Sequence, residues 1–146
     1  MTRMYNTGIQ DLLDGTIIWT GGSKTTQYAR LLTASYSIDV DHDYLDHTSG
    51  GTMSQGAGNT SQSLADNTPV ATLDTANDEV QADCGDETYA ALAAGDTPSQ
   101  IAVYKYNAAD ASAELLCNCL LTTPPAPNGG DYTIVWDAEG VFEISN

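Results

Sequence analysis

Basic residues are scarce in this chain. Arg3, Lys24, Arg30 and Lys105 are its 4 Lys+Arg, set against 20 Asp+Glu, for a formal net charge of −16. Phosphate contacts depend on Lys and Arg, so a nucleic-acid partner is excluded and anionic lipid is repelled. No apolar run approaches the ~20 residues of a membrane-spanning helix, and no membrane association is expected. Met1-Thr2-Arg3-Met4-Tyr5-Asn6 has no basic stretch leading into an apolar one. The expectation is therefore no secretory leader and synthesis in a cytoplasm.

Cysteine is also sparse: Cys84, Cys117 and Cys119. A strand would point Cys117 and Cys119 to one face, where a mutual disulfide is strained, and no Cys-x-x-Cys metal spacing occurs. The three read as small apolar residues of a reduced core. A crosslink from Cys84 to one of the others, or between subunits, is the alternative.

The chain offers many short apolar runs punctuated by turn residues. Its 146 residues suffice for one domain spanning 1–146, and 41% hydrophobic residues for one core. Thr7-x-x-Gln10 reads as a capping box opening a helix at 7–13 that Asp14-Gly15 ends, with Ile9, Leu12 and Leu13 at helical spacing. Strands are expected at 16–19, 27–33, 101–106 and 114–121, with a hairpin formed by 70–73 and 80–83. Residues 39–48 suit a helical turn around Tyr44 and Leu45, and Asp86 to Leu92 a short capped helix. From Ser49 to Ser63 the sequence is nearly all Ser, Gly, Thr, Gln and Asn, which reads as an irregular loop or arm ordered by a neighbouring subunit. Tyr132, Ile134 and Trp136 alternate with Thr133 and Val135, Asp137 to Gly140 fits a turn, and Phe142 and Ile144 resume the alternation. That pattern predicts a terminal β-hairpin. The fold class is mainly β: a single-domain antiparallel β-sandwich or open barrel with one or two short helices.

Chemistry-bearing motifs are few. Asp39, Asp41 and Asp43 are spaced like calcium ligands, but Tyr44 stands where an EF-hand needs glycine and Gly50 where it needs a bidentate Glu. A solvated acidic loop is the better reading, with those three aspartates as the candidates should a cation bind. His42 and His47, five apart, miss the spacing of a helical zinc pair. Ser54 and Ser61 lack a nucleophile-elbow frame, and the glycine pairs lack the Lys-Ser/Thr of a phosphate loop. No catalytic residue, cofactor or enzymatic activity is expected. Trp19 and Trp136 sit in core-like patterns, which disfavours a carbohydrate-binding Ig-like module.

The second half resembles a family of small tailed-phage virion proteins encoded near capsid and head-completion genes. The likeness runs through Ala76-Asn77-Asp78-Glu79-Val80 with Asp83, then Tyr89 and Leu92, Val103-Tyr104-Lys105, Leu115-Leu116, and Gly130-Asp131-Tyr132-Thr133-Ile134-Val135-Trp136-Asp137-Ala138-Glu139-Gly140. Leu13-x-Gly15-Thr16-Ile17, Leu31-Leu32, Tyr36 and Asp41-His42-Asp43-Tyr44-Leu45 extend it more loosely. Cys117-Asn118-Cys119 departs from it, because relatives carry aliphatic or aromatic residues there. The resemblance implies a capsid decoration (cement) protein on the virion surface. Its partners would be the major capsid protein and copies of itself, as a homotrimer. A head–tail connector, tail or fibre component is the alternative.

Overall fold

Two adjacent strands, β7 (Gln100–Lys105) and β8 (Leu115–Leu120), form the centre of the computed structural model, which describes residues 2–20, 26–64 and 69–145. Both are buried along nearly their whole length. They belong to an antiparallel five-stranded sheet in the order β1 (Thr2–Met4), β8, β7, β2 (Gln27–Leu32), β3 (Ser61–Ser63). Period-2 alternation sends its side chains to two separate cores. Ala29, Leu31, Ile101, Val103, Cys117 and Cys119 join one, with Trp19, Tyr89 and Phe142. Leu32, Ala102, Tyr104 and Leu115 join the other, with Tyr5, Tyr36 and Leu45. A register shift between Val103 and Tyr104 marks a bulge at Leu116 of β8.

A second sheet has the order β10 (Phe142–Ser145), β5 (Glu79–Asp83), β4 (Val70–Asp74), and β6 (Glu87–Tyr89) pairs with β9 (Tyr132–Ile134). All pairings are antiparallel. Strand outweighs helix by 37% to 17%, so the chain is mainly β, and sandwich-like layers rather than a closed barrel describe it.

Helix α1 (Asn6–Asp14) lies where the sequence places it and ends at Gly15, whose φ of 78° is the usual left-handed stop. Its packing differs from expectation. Ile9 and Leu13 are exposed, and Gly8 and Asp11 are the buried residues. A Cβ on Gly8 would lie 2.5 Å from the Leu116 carbonyl oxygen, so the helix backbone rests directly on β8. The capping box does not form: Tyr5 holds the cap position without a side-chain bond, and the Thr7 hydroxyl donates to Asp43 instead.

Four further expectations are corrected. Residues 16–19 form no strand. Ile17 and Trp19 are buried, and the Trp19 indole donates to the carbonyls of Val70 (2.9 Å) and Asp83 (3.2 Å). The helix expected from Asp86 is strand β6, because Tyr89 is fully buried with its hydroxyl on the Ala29 carbonyl, and β9 supplies backbone partners. The terminal hairpin does not close as a ladder. Its turn forms, with Gly140 N–H on Asp137 O and Gly140 at φ 84°, yet Val141 N–H bonds Ala82 O and carries the return strand onto β5. A Cβ on Gly140 would sit 2.6 Å from that Ala82 oxygen.

Finally, 49–63 is not an irregular arm. A 3-10 helix covers Leu45–Gly51, Met53 is buried, helix α2 spans Ala57–Thr60, and β3 pairs with β2. Polar contacts complete the anchoring. Ser54 N–H donates to Asp96, and the Gln55 amide donates to the Ala93 and Asp96 carbonyls. Counting apolar residues underestimated a segment held by one methionine and its backbone.

Candidate assembly surface

The β10–β5–β4 sheet carries the most conspicuous surface feature. Phe142, Ala82 and Ala71 stand opposite one another across its strands, and two residues along, on the same face, stand Ile144, Val80 and Leu73. The first row begins inside the core: Phe142 and Ala82 are buried, and the Phe142 ring meets Trp19 edge-on at 5.1 Å. The second row runs beyond it, with Leu73 67%, Ile144 57% and Val80 40% exposed. Three aligned apolar side chains thus lie in solvent on a sheet whose outer strand, β4, pairs with β5 alone among the described residues.

The opposite face of the same sheet is acidic. Oxygen atoms of Glu79, Glu139 and Glu143 lie within 4.8 Å of one another, the one such group of three ligand-type side chains among the described residues. The Gln81 amide donates to Glu79 (3.0 Å) and Glu139 (2.7 Å). The bond to the Glu79 carboxyl raises Glu139 above the ordinary carboxyl range, with small contributions from burial and neighbouring charge. One amide, that of Gln81, bridges two carboxylates of this cluster.

Asp39, Asp41 and Asp43 do not converge on a common point. Asp41 accepts from the Asn6 amide at 2.6 Å, Asp43 from the Thr7 hydroxyl, and Asp39 from the Asp41 N–H at 3.1 Å. Together with Asn6 N–H on the Val40 carbonyl, these bonds fasten 39–43 across the start of α1. A chain of polar groups continues inward: His42 Nδ1 to Tyr36 Oη, and Tyr36 Oη to Tyr5 Oη, each 3.0 Å. Burial first, then the Tyr36 hydrogen bond, pushes Tyr5 far above the ordinary phenol range. His42 and His47 lie ring beside ring at 5.0 Å, and His47 Nδ1 accepts the Asp43 N–H. The segment staples the second core.

Cys84, Cys117 and Cys119 are free thiols buried on the side of the first core, and no bridge links them. Thr2 Oγ donates to Cys119 Sγ at 3.5 Å, and that sulfur lies 3.4 Å from the Val141 carbonyl. Burial, then the charges of Asp83 and Glu87, pushes Cys84 up to about 12, and burial pushes Cys117 well up. Beside Cys119 lies a cleft of ≈ 440 Å³ lined by Pro124, Pro125, Tyr132 and Trp136. Of the basic residues, Arg30 forms a two-pronged pair with Asp110 (2.6 and 3.1 Å) and Lys105 pairs with Glu114 (2.7 Å), so both cations are neutralised within the chain.

Sequence reasoning missed the exposed row because Leu73, Val80 and Ile144 each fit an ordinary half-buried strand pattern. Leu73 and Val80 are aligned by the expected β4–β5 hairpin, and Ile144 joins them only because β10 pairs with β5, a non-local pairing that the sequence does not disclose. No family model, no curated protein and no solved structure matches this chain.

Proposed function

We propose that this chain is a structural protein of a tailed-phage virion, a decoration protein that docks in many copies on the outer head shell and stabilises it across capsomer seams. The observation that carries the reading is the aligned, solvent-exposed row Leu73–Val80–Ile144 on an edge sheet of a strongly acidic chain. Contiguous exposed apolar residues rimmed by polar ones mark contact surfaces. A net charge of −16 directs such a surface toward protein rather than phosphate. Binding assembled shells but not free subunits stabilises the shell by mass action. The sequence resemblance adds the virion context, and a homotrimer is the assembly it implies. A connector ring in the neck is the second reading, because a free strand edge such as that of β4 also serves subunit-to-subunit pairing in rings. Quantitative gel densitometry of purified virions tests the choice. A copy number comparable to that of capsomers supports decoration, and a single ring's worth overturns it in favour of the connector.

A further inference from the structure

Among the described residues, strand β4 is an edge without the usual protection. Exposed edges are blunted in natural proteins by lysine, by proline within the strand, by bulges or by a covering element. β4 reads Val70-Ala71-Thr72-Leu73-Asp74, with Pro69 outside it, no bulge in its pairing to β5 and four successive exposed residues. The edges at β10 and β3 are less open: β10 lies against β1, and β3 is half-buried throughout. On one face of the β4 sheet stands the apolar row, and on the other Asp74, Glu79 and Glu143. Anything that extends this sheet must therefore be apolar on alternate residues and favourable to carboxylates on the rest.

A second copy fails the latter condition. Its own β4 would bring Asp74 and the same acidic face alongside, in a chain whose Arg30 and Lys105 are already paired internally. Like charges facing each other across strands are destabilising, and opposite charges add to the pairing. We propose that the β4 edge accepts one extended strand from a partner protein, apolar at alternate positions with Lys or Arg between them. Its backbone extends the sheet to four strands. Its apolar side chains pack beside Ala71 and Leu73 and continue the row that Val80 and Ile144 begin, and its cations lie beside Asp74. The partner being a capsid subunit rests on the decoration reading, whereas the chemistry of the strand does not.

The test uses the whole chain, isotopically labelled, with the synthetic heptapeptide Lys-Val-Lys-Val-Lys-Val-Lys as probe and its Lys-to-Glu counterpart as control. The basic peptide should slow amide exchange within 70–74 by at least ~10-fold, and its affinity should fall as salt rises. Leu73→Glu should weaken binding at least ~10-fold. Leu73 is 67% exposed, and Ala71→Glu, at an exposed site on the same face of β4, is the substitute should that variant misfold. The proposal is overturned if the acidic peptide binds equally, if protection appears elsewhere and not on β4, or if neither peptide binds. It is equally overturned if concentrating the chain alone protects β4, since a second copy then occupies the edge. Chains bound to capsids with β4 still exchanging freely would refute this inference and leave decoration standing. Peptide capture without capsid affinity would do the reverse.

Discussion

Gly8 lets α1 sit on β8 with no side chain between them. A methyl group there meets the Leu116 carbonyl oxygen and the Leu116 Cα, at 2.5 and 2.7 Å, and both are backbone atoms that cannot swing away. Alanine improves helix propensity by about 1 kcal/mol, whereas overpacking costs about 1–3 kcal/mol. Gly8→Ala should therefore destabilise the protein in denaturant unfolding even though it favours the isolated helix. Asp11, one turn on, presents the opposite case. Its residue is buried and its Oδ2 has no hydrogen-bond partner. Burial first, then the charges of Glu114 and Asp14, raises it above the ordinary carboxyl range. The unfolded chain has the lower value, so the ionised carboxylate opposes folding at neutral pH, and the penalty shrinks as pH falls below the folded value and is gone below the unfolded one. Asp11→Asn should raise the melting temperature at neutral pH, with the two proteins converging in acid. A gain that grows in acid would contradict the assignment.

At the scale of elements, what the sequence disclosed depended on whether a partner was local. α1, β2, β7, β8 and the β4–β5 hairpin are set by their own periodicity and turns, and all stand close to where that pattern places them. Asp74 shows the local case well: it accepts the N–H groups of Ala76 and Asn77, and those bonds lower it below the ordinary carboxyl range. The failures are non-local. Asp86 looks like a helix cap until β9 arrives beside it, and the Asp137–Gly140 turn looks like a hairpin until Ala82 captures Val141. The aspartates at 39, 41 and 43 were legible as a cluster but not as partners of Asn6 and Thr7. The 49–63 segment yields the clearest test at this scale. Limited proteolysis of the free protein should leave it intact. Met53→Ala should cost about 2–4 kcal/mol and open it to cleavage. Ready cleavage in the unmodified chain would restore the reading of a mobile arm.

For the molecule as a whole, charge and surface act together. A field of −16 opposes phosphate contact, while the apolar row and the β4 edge supply attraction at short range. Steering by charge toward basic protein and adhesion by apolar contact is a division of labour suited to docking on a finished shell from outside. Such docking depends on shell protein alone, so the most direct measurement compares occupancy on genome-filled and genome-free shells at one salt concentration. Equal occupancy on both is the predicted result. Binding that is lost when the genome is removed would contradict an outer-surface role and place the protein in contact with the shell's interior.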